Sequence, residues 1–238
     1  MSSAFSLGDI AVDVVLKDIK NIHLSVHPPV GKVRIAAPKR MSVDTIRLFA
    51  ISKLEWIKRQ QRILREQARE TPREFIEQES HFVWGKRYLM NLVEADQPPS
   101  IELKSNRMTF RIRPGTDESR RQQIVEEWYR TQLRLVANEM ISQWSPRIGV
   151  AVQRLFVQRM KTRWGSCNSV AQTIRLNTDL AKKSRECLEY IVVHEMIHIL
   201  EPSHNQRFQR LMQKFMPDWE HRRQVLNRSP VRHEEWEY

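Results

Sequence analysis

Between residues 9 and 37 the apolar positions come in short runs, Ala11 to Leu16, Ile22 to Val26 and Lys32 to Ala36, parted by Pro28, Pro29, Gly31 and Pro38. Runs of that length bounded by turn formers predict strands joined by tight connections. From Ser42 the period changes. Val43, Ile46, Ala50, Leu54, Ile57 and Leu64 fall on one helical stripe, with Ser42 as N-cap and Pro72 beyond the end, so a single long amphipathic helix is expected. Short strands return between Ser80 and Arg113, in the runs Phe82 to Trp84, Tyr88 to Val93, Ile101 to Leu103 and Met108 to Ile112. A second stripe, Val125, Tyr129, Leu133, Val136, Met140 and Trp144, predicts a helix ended by Ser145-Pro146. Beyond it, a β-rich stretch from Val150 to Lys161, a turn around Gly165 to Ser169 and a strand from Thr173 to Asn177 read as a hairpin. Ser184 to Leu200 is helical, Pro202 breaks that helix, and Asn205 to Phe215 forms another before Pro217. From Val231 the pattern is that of a frayed tail.

These elements make an α+β protein: a small N-terminal β-sheet region with a long helix, then a region with a β-hairpin and a buried helix. The segment Arg113 to Ser119 joins Pro-Gly to a polar run and places a boundary between an N-terminal α/β region, 1–115, and a second region, 116–238.

Composition narrows the class. In 238 residues, 40% apolar content with seven Trp and eight Phe excludes wholesale disorder. No stretch is long and apolar enough to span a bilayer, and the first residues lack a signal-peptide pattern. Two cysteines, Cys167 and Cys187, make no disulfide framework, so a cytoplasmic protein is expected, with no membrane partner. Forty Lys and Arg against 28 Asp and Glu leave +12, which favours anionic partners. Nucleic acid is one of them, through Lys53, Lys58, Arg59, Arg62, Arg65 and Arg69 on the outer face of the first helix. A basic face on a long surface helix is also what simple solvation produces.

The chemistry concentrates in Tyr190 to Phe208, which contains H-E-x-x-H at His194, Glu195 and His198. Residues i and i+4 of a helix lie one turn apart on nearly the same side, so both imidazoles can grip one ion. Glu195 sits where its carboxylate can reach a water at that ion without being a ligand, the general-base arrangement of metal-assisted hydrolysis. A third ligand must come from outside the straight helix, and His204 answers, because Pro202 lets the chain turn back. The frame HExxHxxExxH has metzincin spacing, yet Glu201 stands where those enzymes have Gly. Three His ligands leave a coordination position for water. A closed structural site would take Cys187 or Cys167 as its fourth ligand.

Arg159 to Cys167 (RMKTRWGSC), Ile174 to Leu180 (IRLNTDL) and Glu189 to Trp219 (EYIVVHEMIHILEPSHNQRFQRLMQKFMPDW) together resemble the YgjP-like metallopeptidase domain family, near the SprT and WLM metallopeptidases. The likeness extends upstream to HLSVHPPVGKVRIAAP, KLEWIKRQQ and the Trp84-Gly85-Lys86-Arg87-Tyr88 segment, nearly the whole chain. It implies a zincin-like second region with Zn2+ held by His194, His198 and His204, and Glu195 as catalytic base. Asn205 and Gln209 depart from the Ser and Trp that the family often carries there.

The expected function is therefore a zinc-dependent hydrolase of the metallopeptidase type, acting on a peptide or protein. Two other readings use the same residues. A basic cleft would admit a nucleotide, giving a metal-dependent nucleoside-triphosphate pyrophosphatase, although no Gly-rich phosphate loop is present. Alternatively, a structural zinc would serve a nucleic-acid-associated protein. In the cleft wall, Arg163 to Ser166 offers a strand edge for an extended peptide, with Lys161 and Arg163 as anion contacts and Trp164 as wall or core filler. Tyr190, one turn before His194, is a second-shell or packing residue.

Overall fold

Four strands open the chain. β1 (Ser2–Leu7) and β2 (Ile10–Lys17) form an antiparallel hairpin, as do β3 (His23–His27) and β4 (Lys32–Pro38). Between them β2 runs parallel to β4, giving the order β1-β2-β4-β3. Period-two alternation sets the buried face, where Ile10, Val12 and Val14 join Val33, Ile35 and Ala37. Helices α1 (Val43–Ser52) and α2 (Leu54–Glu66) complete that core with Ile46, Ala50 and Ile57.

The single long helix expected from the stripe is thus two. Lys53 ends α1 with φ −108°, and its N–H turns back to Ala50 and Ile51. Apolar spacing could not reveal the break, because both helices keep their apolar side on the same core. Ser42 caps α1 as expected, its hydroxyl accepting from Thr45 N–H. Val43 is exposed, and the side chains of Leu64 and Arg65, with Pro72, lie outside the described residues. The computed structural model describes residues 2–27, 31–66, 69–70, 74–160, 163–228 and 231–232. Within these, β5 (Arg69–Glu70) pairs in parallel with β13 (Val231–Arg232), so the expected tail begins with a paired strand.

Two compact units result, Met1–Thr71 with Pro230–Tyr238, and Pro72–Ser229. The second begins with β6 (Ser80–Val83), β7 (Lys86–Glu94), β8 (Ser100–Lys104) and β9 (Arg107–Ile112), in the order β6-β7-β9-β8 with β7 parallel to β9. Residues 113–117 then lead into α3 (Glu118–Ile148) without leaving the unit. Met108, Phe110 and Ile112 share one core with Val125, Tyr129 and Leu133, so this sheet groups with the C-terminal elements and not with the N-terminal region expected for 1–115. Pro-Gly makes a turn here, not a linker, because apolar faces on both sides of it must be covered by each other.

α3 also runs past Ser145-Pro146 to Ile148 and ends on Gly149, whose φ of 78° supplies the left-handed cap. Three strands follow: β10 (Arg154–Gln158), β11 (Gly165–Asn168) and β12 (Thr173–Asn177), in the order β10-β12-β11. The hairpin is β11 with β12, while β10 lies parallel to β12. The strand expected around Arg163 to Ser166 starts at Gly165 and runs on to Asn168, through the first part of the turn expected at Gly165 to Ser169. Gly-Ser-Cys-Asn has no apolar alternation to announce it, and its ladder partner defines it.

A 3-10 turn (Thr178–Lys182) leads to α4 (Arg185–Leu200), α5 (Gln206–Phe215) and α6 (Trp219–Arg228), the last not anticipated. Glu189 ties three helices together, accepting from Trp144 Nε1 at 3.0 Å and Arg222 at 2.5 Å. The architecture is α+β, and among the described residues no helix is long and apolar enough to cross a membrane.

Candidate metal centre

α4 carries the site and is held at its start. Ser184 caps it, its hydroxyl accepting from Cys187 N–H. Just upstream, the two-residue β6–β7 turn, Trp84-Gly85, docks on the 3-10 segment: Trp84 N–H donates to Ala181 O at 2.9 Å and Gly85 N–H to Lys182 O at 3.2 Å. Both turn residues have positive φ, 50° and 78°, as a hairpin turn of this kind requires. Along α4, Leu188, Val192, Val193, Met196 and Ile197 are fully buried, so the helix has an apolar environment on nearly every side.

His194 and His198 project from α4 toward His204, which lies just before α5. The three Nε2 atoms stand 3.2, 3.2 and 3.0 Å apart, and these are the three side chains among the described residues whose ligand atoms cluster as a metal site would require. One tautomer is fixed by geometry. His198 Nδ1 lies 3.0 Å from Glu201 O, a carbonyl that only accepts, so Nδ1 carries the proton and Nε2 turns a lone pair inward. Burial, then the neighbouring His198 and His204, push His194 down to about 3, which keeps its ring neutral; burial also lowers His204. Buried His194 Nδ1 finds no hydrogen-bond partner among the described residues. A cation at their centre would accept a lone pair from all three nitrogens at once. Tetrahedral binding at about 2.0–2.1 Å from imidazole nitrogen asks for nitrogens about 3.3–3.4 Å apart, close to the separations observed. The donor set fits a divalent transition metal.

Glu195, the residue after His194 on α4, is 5% exposed. A strand passes so close that a Cβ on Gly165 would fall 2.6 Å from Glu195 Oε1; only glycine leaves room for that carboxylate. Burial pushes the Glu195 carboxyl up, to about 8, against the pull of the exposed Arg163 guanidinium. Asn177 holds this strand in place: its side-chain amide donates to Met160 O at 2.8 Å and Arg163 O at 3.0 Å, and its backbone N–H donates to Trp164 O at 2.9 Å. Lys161 lies outside the described residues.

Neither thiol belongs to the cluster. Cys187 lies at the start of α4 against Ser184 Oγ, and burial and Glu195 together push the Cys167 thiol up to about 11. Trp164 is half-buried with Lys183 Nζ 5.7 Å over its ring, and Tyr190 packs edge-on against His194 with centroids 5.7 Å apart.

The residues brought together thus include His194, Glu195, His198 and His204, all singled out from the sequence, Gly165 from the segment expected in the cleft wall, whose room for Glu195 was not foreseen, and two that were not singled out, Asn177 and Phe208. Phe208 is buried against all three imidazoles, with centroids 4.9, 4.7 and 4.8 Å away. A signal for it was present, since Phe208 follows His204 by one helical turn. The closeness of Gly165 to Glu195 depends on a strand meeting a helix, and the role of Asn177 on contacts with a segment 13 to 17 residues earlier.

The YgjP-like metallopeptidase domain family matches residues 20–229, and the chain belongs to that family. Among solved structures, the metallopeptidase zymogen abylysin of Pyrococcus abyssi is similar at 17% identity, over 40% of this chain and 98% of that one, with a TM-score of 0.35. The metallopeptidase zymogen jannalysin of Methanocaldococcus jannaschii is similar at 22% identity, over 40% and 92%, with a TM-score of 0.32. No curated protein matches the sequence.

Proposed function

We propose that this member of the YgjP-like metallopeptidase family is a zinc-dependent peptidase in which His194, His198 and His204 hold the ion and Glu195 moves the proton. The observation that carries the reading is the convergence of three Nε2 atoms within 3.0–3.2 Å, with a buried carboxylate on the next residue of the helix. Zinc bound there would supply Lewis acidity, acidifying water and polarising a carbonyl.

The remaining work belongs to the chain. Glu195 takes a proton from the attacking water and returns it to the leaving nitrogen. Burial, which lifts its carboxyl to about 8, suits it to hold that proton, and a neighbouring dication would favour its charged form. Gly165 lets the carboxylate sit against β11, where Asn177 braces the strand. Among the described residues β11 is an edge of its sheet, paired with β12 on one side, and its other side would receive an extended peptide through backbone hydrogen bonds. Arg163, exposed just before that strand, offers positive charge to substrate carbonyls or carboxylates. The structural-zinc alternative loses its fourth ligand with both thiols outside the cluster. Neither a nucleotide nor a nucleic-acid partner draws support from the family.

Metal analysis of the purified protein, paired with Glu195→Gln, tests the reading. The variant should keep its zinc and lose about 10²–10⁴-fold of its turnover on an unstructured protein substrate. Wild-type turnover in the variant would reject the role of Glu195, and a purified protein that takes up no zinc would reject the metal site.

A further inference from the structure

Four rings meet at the site. Every centroid separation among His194, His198, His204 and Phe208 lies between 4.6 and 5.0 Å, so the rings mark the corners of a nearly regular tetrahedron. Three corners carry a nitrogen directed inward. The fourth, Phe208, has neither a lone pair to ligate nor a proton to donate, and it is only 2% exposed. Its ring lies over one face of the triangle formed by the three imidazole rings.

A single helical turn delivers both parts. His204 stands directly before α5, Asn205 is its N-cap, and Asn205 Oδ1 accepts from Phe208 N–H at 3.0 Å. The capping bond therefore sets the phenyl ring relative to the third imidazole. Packed edge-on against His194 and His204 and stacked at 29° on His198, the ring restricts all three side chains before any ion arrives. Ligands ordered in advance lose less freedom on binding.

We propose that Phe208 is a positioning residue for the metal: it pre-orders the three imidazoles that would hold the ion and seals one side of their triangle. The inference rests on the metal reading above. An ordinary core phenylalanine would be replaceable by leucine with a change in fold stability alone, whereas a positioning ring would not.

The test compares wild type, Phe208→Leu and Asn205→Ala as full-length protein. Zinc affinity is read by chelator competition, the Co2+ form by its visible absorption, and metal-free thermal unfolding by circular dichroism. Phe208→Leu should weaken zinc binding about 10–100-fold, the range for residues that support ligands from behind. Its Co2+ bands should lose intensity as water reaches the ion from the newly opened side. Asn205→Ala, an exposed change that frees the first turn of α5, should weaken zinc binding in the same direction by a smaller factor. Wild-type zinc affinity and an unchanged Co2+ spectrum in both variants would overturn the proposal. If Phe208→Leu does not fold without metal, the affinity of Asn205→Ala decides alone. Failure of the wild-type chain to take up zinc is a separate result that removes the metal reading itself.

Discussion

The sheets β1-β2-β4-β3 and β6-β7-β9-β8 are built alike, with two antiparallel hairpins joined through a central parallel pair and a chain that then enters a helix. Each opens with a two-residue turn, Gly8-Asp9 in one and Trp84-Gly85 in the other. They differ in what the turn and the helix touch. A Cβ on Gly8 would meet nothing within 4 Å among the described residues, whereas Trp84-Gly85 donates two backbone hydrogen bonds to the segment that starts the site helix. After the first sheet come two short helices that close a small core; after the second comes the 31-residue α3, which shares its core with α4. One plan thus serves twice, and among the described residues it is the second copy, through its turn and the helix after it, that packs against α4. Topology supplies a scaffold, and the side chains it brings into contact supply the site.

The largest expected break in this symmetry comes from the ligands. His204→Ala should abolish zinc retention and turnover, as measured by metal content and peptide cleavage. Chelation of the wild type should likewise destabilise the second unit alone. Zinc present at 100 times its dissociation constant stabilises the bound form by about 2.7 kcal/mol. Hydrogen exchange should then accelerate on stripping in peptides from α3 to α5 and stay constant in β2 and β4. An equal response in both sheets would end the distinction drawn between them.

A matched glycine pair sharpens it next. A Cβ on Gly165 would fall 2.6 Å from Glu195, and one on Gly31 would fall 2.7 Å from Gln61 Cγ. Gly165→Ala should cost about 10²-fold in turnover by displacing the carboxylate, with zinc content unchanged. Gly31→Ala, at φ +82°, should instead destabilise the first unit by about 1–2 kcal/mol in urea unfolding and leave turnover alone. Swapped outcomes would show that the first sheet feeds the site directly. The smallest effect belongs to the basic outer face of α2. Both Arg59 and Arg62 are exposed, and converting them to Ala should change stability by less than about 0.5 kcal/mol, as expected for a solvated face.

Much of the fold could be read in advance. Runs such as Lys32 to Ala36 and Met108 to Ile112 became β4 and β9 because alternation and turn formers act locally. Ser42, Ser184 and Asn205 stand as N-caps for the same reason. The i, i+4 spacing put His194 and His198 on one side of α4, and the break at Pro202 returned His204 to them. Other features stayed hidden. The extent of β11, beyond the strand edge read at Arg163 to Ser166 and into residues that look like a turn, comes from pairing with β12. The end of α1 at Lys53 left no mark on the apolar stripe, and Pro-Gly at 114–115 resembled a boundary although the same core lies on both sides.

What the sequence determined alone was the set of short-range commitments: where helices begin, which faces are apolar, and that three histidines and a glutamate lie within one helix and the turn after it. Those depend on neighbours three or four residues away and on the stereochemistry of proline and the capping residues. The tertiary structure decided the rest: the room Gly165 leaves for Glu195, the brace that Asn177 places on that strand, the exclusion of both thiols, and which of two like sheets supports the site. Each of these depends on how segments distant in the chain pack together. Such contacts are settled by packing, and packing has no period along the sequence from which it could be read.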